Sequence, residues 1–409
     1  VVVRVAALAY DEESRDWATG ATDPAPNAQT APAPVSVAVT RLNLSDYRNI
    51  RQLRMESEAG VLVLTGPNGA GKTNILESLS FLSPGRGLRR ARLGDVTRRD
   101  GNGTWAVASR LSTHQDVIEV GTGLDSSEQG AERRVVKIDG ETVRGTAPLT
   151  RAVTVNWLTP QMDRLFVEGP GPRRRFLDRL VYGFDSEHAS RVSAYDRAMR
   201  ERSRLLRQQQ GDAAWLSALE ETMAGYGVAV AAARREATAR LSIGMEAGVA
   251  PFPAANVGVD GDIEHWLDEL AAVDAEVRFR EALELGRSRD AQTGGAATGP
   301  HRSDFAVRHQ EKDMQAADCS TGEQKALLVS IVLADARLQE ARLGRAPLLL
   351  LDEVAAHLDA ARRSALFEVI AARSAQTWIT GTDRSLFDEL NPIAEEFDVA
   401  DGQVTGRPH

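Results

Sequence analysis

One cysteine in 409 residues, Cys319, excludes an intramolecular disulfide and any all-cysteine metal site, and it suits a reducing compartment. No stretch reaches the roughly 18 apolar residues that a membrane span needs. Asp11, Glu12 and Glu13 come early, and no apolar core runs into a small-residue cleavage site. Neither a membrane nor a secretory route is expected, and the reading is a cytoplasmic protein. Positive charge is the minority, with 49 Lys and Arg against 58 Asp and Glu for a net charge of −9. That balance excludes a uniformly basic nucleic-acid binder and leaves room for a local basic face. Lysine is scarcest of all: Lys72, Lys137, Lys312 and Lys325 are the only four, which leaves 45 arginines. In a chain that uses arginine for generic positive charge, a retained lysine points to lysine-specific chemistry. What remains, 42% hydrophobic and 26% charged residues, is ordinary globular composition. At about 150 residues per domain it corresponds to two or three domains, or to one large domain with an insertion.

Residues 1–36 begin without Met, run through DPAPNAQTAPAP and read as a disordered leader. From Val37 the pattern is α/β. VAVTRLNL alternates as a strand, EAGVLVLTG is a short buried strand, and TNILESLSFL puts Ile75, Leu79 and Leu82 at helical spacing. Trp105–Leu111, Val117–Val120 and Val135–Ile138, with Asp139-Gly140 as a hairpin turn, read as an antiparallel sheet. Residues 173–245 carry helical periodicity broken at Gly211-Asp212, which predicts a helical hairpin. Further helices are expected over His265–Leu270 and Ala275–Leu285. After the loop GGAATGP the α/β pattern returns, with strands in APLLLLDE and QTWITGTD around the helix AARRSALFEVIAAR.

Three segments carry chemistry. Gly66-Pro67-Asn68-Gly69-Ala70-Gly71-Lys72-Thr73, followed by Asn74, matches the phosphate-loop pattern between a strand and a helix. Its glycines let the backbone approach phosphate oxygens, and the helix N-terminus favours negative charge. Lys72 supplies a compact charge for the β/γ-phosphates of ATP, and the Thr73 hydroxyl a ligand for Mg²⁺. LLLLDE at 348–353 ends a buried strand in two acids. Asp352 would hold Mg²⁺, largely through water, and Glu353 would act as general base, unless the pair merely caps a helix. Ser320-Thr321-Gly322-Glu323-Gln324 opens a long apolar helix with a second anion cradle. One ATP does not need two cradles from the same chain, so this one is expected to close on ATP held by a second subunit. Ser320 and Glu323 also satisfy a capping box, and both roles are compatible. Cys319 reads as a packed residue.

The order of phosphate loop, S-x-G-E-Q helix and LLLLDE strand is that of the ABC-type ATPases. LNLSDYRNI at 42–50, PRRRFLDRL at 172–180, TGPHRSDF at 298–305 and STGEQKALL at 320–328 resemble the RecF family, within the SMC/Rad50-like branch, and the likeness covers about residues 37–400. The resemblance implies an ATPase head with mixed parallel and antiparallel sheets and an inserted helical arm. The N-terminal part of the head would cover 37–155, the arm 156–295 and the C-terminal part of the head 296–409. It implies that Arg48 and Asn49 approach the nucleotide, that Ser320, Gly322 and Gln324 contact ATP across a homodimer, and that Asp359 is the D-loop acid at that interface. Gln161 stands near the Mg²⁺-sensing Gln of ABC proteins, in a loose match that an ordinary loop residue would also satisfy. His301 either faces the nucleotide or holds structure. Ser303 stands where a second Asp is expected, and Thr380 and Thr382 occupy the region of the transporters' switch His. By the same resemblance the partners are RecR and RecO, with RecA loading as the outcome.

The stretch from Lys72 to Ser320 is too long for a transporter ATPase and too short for the heptad arms of Rad50 or SMC proteins. The residues after Glu353 read as completion of the ATPase sheet rather than as a nuclease domain. A scaffold that holds ATP without hydrolysing it is the remaining class, and Glu353 argues against it. Duplex DNA, at a gap or single-strand/double-strand junction, is the expected polymer partner. Arg86, Arg89, Arg90, Arg92, Arg98 and Arg99 oppose only Asp95, and ten arginines between 173 and 207, led by Arg173, Arg174 and Arg175, face five acids. Such contacts read phosphates rather than sequence. Solvated helix faces in an arginine-rich chain would give the same pattern. Few aromatics lie among these arginines, so stacking on single strands is not expected to dominate.

Overall fold

A computed structural model describes residues 37–407 apart from 114–115, 127–131, 209–211, 247, 249 and 375. The leader expected over 1–36 and Gly211 of the expected break lie outside the described residues. In chain order the elements begin with β1 (Val37–Tyr47), β2 (Ile50–Glu56), β3 (Val61–Thr65) and α1 (Lys72–Ser80), then β4 (Ala106–Thr113), β5 (Val117–Ser126), β6 (Glu132–Ile138) and β7 (Glu141–Val143). The short α2 (Leu149–Ala152) and β8 (Val155–Leu158) lead into α3 (Pro170–Tyr182), α4 (His188–Gln208) and α5 (Ala213–Glu246). There follow β9 (Ala255–Asp260), α6 (Asp262–Glu269), α7 (Ala272–Leu285), α8 (Arg287–Thr293), β10 (Asp304–His309) and β11 (Met314–Gln315). The chain finishes with α9 (Thr321–Leu343), β12 (Leu348–Asp352), α10 (Ala360–Ala371), β13 (Thr377–Gly381), β14 (Ala394–Ala400) and β15 (Gln403–Gly406).

Three sheets result. The first, in the order β2-β1-β4-β5-β6-β7, pairs antiparallel throughout. The second, β15-β14-β3-β13-β12-β8, is parallel from β14 to β8 and carries β15 antiparallel at its edge. Its central strands are buried at every position, as in Val61–Thr65, Leu348–Asp352 and Thr377–Gly381, which explains their continuous apolar reading. Leu62, Leu64, Leu348, Leu350 and Trp378 pack toward the first sheet and α1. Val63, Leu349, Leu351 and Ile379 pack on α9 and α3 from the opposite face.

The arm departs from its expected limits in two ways. A boundary at 155/156 cuts β8, which belongs to the parallel sheet beside β12. And β9, within the expected helical arm, pairs antiparallel with β10 from beyond it, so the base of the arm is a small sheet, β11-β10-β9. ANVGVD is short, half-exposed and interrupted by Gly258, so its strand character comes from its partner more than from its own pattern. Above that base α4 and α5 form the expected hairpin. Arg202, 1% exposed, donates to Glu220 and Asp290 at 2.9 Å and to the Leu283 carbonyl at 2.6 Å, tying α4, α5, α7 and α8 together.

A second buried polar chain fixes α9 to the sheet. Asn156 Nδ2 on β8 and Gln339 Nε2 each donate to Asp335 Oδ2 at 2.7 Å, and Thr154 Oγ1 donates to Gln339 Oε1 at 2.8 Å. Burial pushes the Asp335 carboxyl up to about 7, against the two hydrogen bonds and the Arg179 charge, which act the other way. The folded chain therefore binds a proton more tightly here than the unfolded chain, whose Asp titrates near 3.9. The resulting stability is fully present below that value and is lost as pH rises toward about 7. Asp335→Asn keeps an acceptor for both amides and removes the titration. Its stability relative to wild type should increase from pH 4 to pH 7, by up to a few kcal/mol. Denaturant unfolding across that range measures it, and parallel curves for the two proteins would reject the assignment.

Candidate functional site

The phosphate loop grows out of β3. Gly66 has φ of 150°, and a Cβ there would stand 2.1 Å from the Val399 carbonyl oxygen of β14, so no side chain fits. Gly71, φ 117°, caps α1 in the left-handed region, and its carbonyl accepts from the N–H groups of Asn74 and Ile75. Pro67, Asn68 and Gly69 form the solvent-facing rim, and Ala70 is buried beneath it. Lys72, 4% exposed, donates through Nζ to the carbonyls of Gly66 at 2.7 Å and Pro67 at 3.0 Å. Burial lowers its pKa, and the charges of Glu353 and Asp352 oppose that shift. Asn49 donates to the Ala70 carbonyl at 3.2 Å and accepts from Asn74 Nδ2 at 2.7 Å, which places it against the loop.

The two acids meet the loop through strand register. Asp352 lies opposite Thr380, and Thr380 opposite Leu64. Thr380 Oγ1 donates to Asp352 Oδ1 at 2.8 Å and accepts the Glu353 N–H at 3.0 Å. Thr73 Oγ1 donates to the same Asp352 oxygen at 3.0 Å. Glu353 itself has φ of 53°, a costly conformation for a non-glycine residue, held here by the Thr380 bond to its N–H. Burial raises the Asp352 pKa above the usual carboxylate range, against the two hydroxyl bonds. A cation beside it would relieve that penalty. Thr73 and Asp352 form a hard-oxygen pair that fits Mg²⁺, which takes its other ligands from phosphate and water. Among the described residues no group of three His, Cys, Asp or Glu could hold a metal by itself.

Other expected residues fall into place or are corrected. Arg48 is held under the loop by a bidentate pair with Glu77 at 2.7 and 2.8 Å and by the Asp95 carbonyl. Arg89, expected on DNA, donates to Asn74 Oδ1 at 2.5 Å and Glu77 Oε2 at 3.3 Å, so it supports α1 instead. Glu77 is fully buried and was missed from sequence, although a carboxylate within ILESL on the buried face of a helix is a readable signal. Arg173 is likewise spent. It pairs bidentately with Asp304 at 2.7 Å and caps the carbonyls after Leu165. Arg174 donates to the Ser303 carbonyl at 2.6 Å. Arg86, Arg90 and Arg175 remain exposed.

Ser320 caps α9 in a full capping box with Glu323, whose carboxylate also takes Lys312. Gly322 is exposed, with only Arg362 near its face. Gln324 is turned inward, 4% exposed, donating to the carbonyls of Cys319 at 2.8 Å and Ala317 at 3.2 Å. Asp359 caps α10, accepting from the Arg362 N–H at 2.9 Å. Gln161 lies on the short turn Pro160–Arg164 and has no hydrogen bond to Thr73 or Asp352 among the described residues. That turn is tied to α9 by Asp163 and Lys325, 3.3 Å apart. His301 accepts from the Tyr195 hydroxyl at 2.7 Å, donates to the Ala296 carbonyl at 2.9 Å, and is held at a pKa of about 4 chiefly by burial.

A phosphate loop, a strand ending in two acids and a capped signature helix on a split α/β core define an ATPase head of the SMC type. Residues 38–404 match the family model "RecF/RecN/SMC N terminal domain". The "DNA replication and repair protein RecF" of Rhizobium meliloti (strain 1021) is 48% identical over 378 residues, 91% of this chain and all of that protein. The protein of the same description from Brucella suis biovar 1 (strain 1330) is 46% identical over 377 residues, 91% of this chain and 97% of its own. In fold, the chain is similar to the "recombination mediator protein RecF-ATPrS in RecFOR pathway", with a TM-score of 0.79 at 20% identity, covering 92% of this chain and all of that one. An SmcHead bound to a domain of ScpA follows at 0.51 and 14%, covering 90% of this chain and 97% of that one. The chain belongs to the RecF family.

Thr380 is the residue whose link between the two acids the tertiary structure adds. Thr380→Val keeps its shape but frees the Glu353 N–H and one Asp352 bond, at about 1–2 kcal/mol of stability. Thr380→Ser should restore both bonds. The Val variant should hydrolyse ATP at least tenfold more slowly while Ser approaches wild type, and equal rates for Val and wild type would remove Thr380 from the mechanism.

Proposed function

We propose that this chain is an ATP-dependent DNA-binding protein of recombinational repair and replication-gap processing, and that it hydrolyses ATP slowly. The convergence of Thr73, Asp352 and Thr380 beside Lys72, with Glu353 held next to them, carries this reading. ATP would lie along the phosphate loop with its γ-phosphate toward the acids. Thr73 and Asp352 would hold Mg²⁺, which supplies charge neutralisation when bound. Glu353 polarises the attacking water and Lys72 stabilises charge on the transferring phosphoryl group.

The signature helix offers a second anion cradle beside that of the phosphate loop, and two subunits would close around shared nucleotides. Gly322 and the rim at Ser320 face solvent, where a second subunit can reach them. The ATP-closed homodimer clamps duplex DNA at a gap or junction, and hydrolysis reopens it. The solved relative described as a recombination mediator in the RecFOR pathway supports RecO and RecR as partners here; RecA loading as the outcome rests on the family resemblance alone. No helix among the described residues is long and apolar enough to cross a membrane.

Glu353→Gln should bind ATP normally, accumulate as an ATP-bound dimer, and lose hydrolysis by two orders of magnitude or more, the range of a missing general base. Light scattering with ATP and a phosphate-release assay read both effects, and hydrolysis at the normal rate would assign the base elsewhere.

Ser320→Arg should bind ATP yet fail to dimerise, and Lys72→Ala should lose ATP. Mixed together, the two can form at most one working composite site. Partial recovery of ATPase on mixing is expected, and full dimerisation by Ser320→Arg alone would refute a shared site.

A further inference from the structure

Arg90 and Arg175 come from different parts of the chain and meet at one cavity of about 170 Å³. It lies between the loop after α1, the turn after β8 and the start of α3. Gly87, Trp157, Thr159, Gln161, Glu168 and Arg179 also line it. Neither Arg90 nor Arg175 has a side-chain hydrogen bond or ion pair among the described residues, in contrast to Arg89 and Arg173 one or two positions away. Behind them Arg179 is 7% exposed, sandwiched against Trp157 at 4.0 Å and Phe176 at 5.1 Å. It donates to the Trp157 carbonyl at 3.0 Å, but its buried Nε has no partner. Three guanidinium groups thus line the cavity with one carboxylate, Glu168, while Asp178 and Asp335 act on Arg175 and Arg179 from outside it.

We infer that this cavity is a phosphate site, and that its ligand is a phosphodiester of the DNA backbone. The proposal rests on the DNA-binding reading above and deepens it by naming the contact. Two exposed guanidinium forks line the same cavity, an arrangement suited to phosphate. Arg175 is held at a pKa of about 10, first by desolvation and then by the nearby charges of Arg90 and Arg174, so an anion here relieves repulsion that the folded protein already bears. Arg90 is lowered as well, by burial and by Arg86. The cavity also places a bound phosphate beside Gln161 on the turn that follows β8, the neighbour of the strand that ends in Asp352. DNA held here would therefore touch the turn that follows β8, the strand paired with β12.

The test is duplex DNA affinity against salt, with ATP, for wild type, for Arg90→Gln/Arg175→Gln, and for Arg133→Gln/Arg144→Gln, an exposed pair outside both arginine-rich segments that removes the same charge elsewhere. The pocket pair should weaken binding roughly tenfold or more. It should also flatten the log–log salt slope by about 1.8 per subunit, at about 0.9 per contact. The control pair should do neither, and all three proteins should melt alike. Equal effects from both pairs would mean net charge, and an unchanged slope for the pocket pair would place the DNA path elsewhere while leaving the DNA-binding reading intact. Failure of wild type to bind duplex DNA with ATP would overturn both. In a Lys72→Ala background, inorganic pyrophosphate provides a second arm. Thermal stabilisation by pyrophosphate that needs Arg90 and Arg175, without any effect of those residues on DNA, would make this a small-anion site and overturn the DNA assignment.

Discussion

The parallel register of β3, β13 and β12 is the constraint on which the site depends. It sets Thr380 opposite both Leu64 and Asp352, so that one hydroxyl reaches the first acid and the N–H of the second. A slip of one residue would turn Thr380 and Asp352 to opposite faces of the sheet. The slip is resisted because these strands are buried on both sides, with each face committed to a different core. Rigidity at the reacting centre is thus inherited from packing well away from it, and the φ of 53° at Glu353 persists because its surroundings over-determine it.

Arginine does two kinds of work in this chain, and the structure separates them. Arg202, Arg234 and Arg48 are cross-braces. Each enters the interior with carboxylate partners, as Arg234 does in its bidentate pair with Asp178 at 2.8 and 2.9 Å. Removing one partner would strand a buried charge, which costs far more than an exposed pair contributes. Arg90 and Arg175 are left without such partners at the surface. A nucleic-acid contact in a chain of net charge −9 requires local excess of this kind, and the count of arginines in a segment does not reveal where it lies.

The signature helix is braced both at its N-terminus and along its later turns. Ser320 and Glu323 close the N-terminus of α9 on itself, while Asp335 and Gln339 fasten its later turns to β8. Lys325 reaches Asp163 on the turn that carries Gln161. Any change at the helix N-terminus on meeting a partner's nucleotide would be felt along a buried element rather than in a loose loop. Gln324, folded back on the carbonyls of Ala317 and Cys319, is the one signature side chain that would have to turn outward to take part.

The phosphate loop, the LLLLDE strand and the signature helix were legible in the sequence because their chemistry is local. Glycines at 66 and 71, a lysine in a chain with only four, and a hydroxyl three residues before Glu323 each declare themselves within a few positions. The strands of the parallel core were legible for the same reason, being continuous apolar runs. Tertiary structure alone decided the rest. β9 became a strand because β10, more than forty residues on, supplied its hydrogen bonds. Thr380 became the brace of the two acids because parallel pairing brought together residues 28 positions apart. Arg89 and Arg173 were spent, and Arg90 and Arg175 left free, according to which faced Glu77 and Asp304 in space. Sequence fixes which side chains a segment offers, but a charge is neutralised or left available by its neighbours in three dimensions, and those are set only when the sheets and helices close on one another.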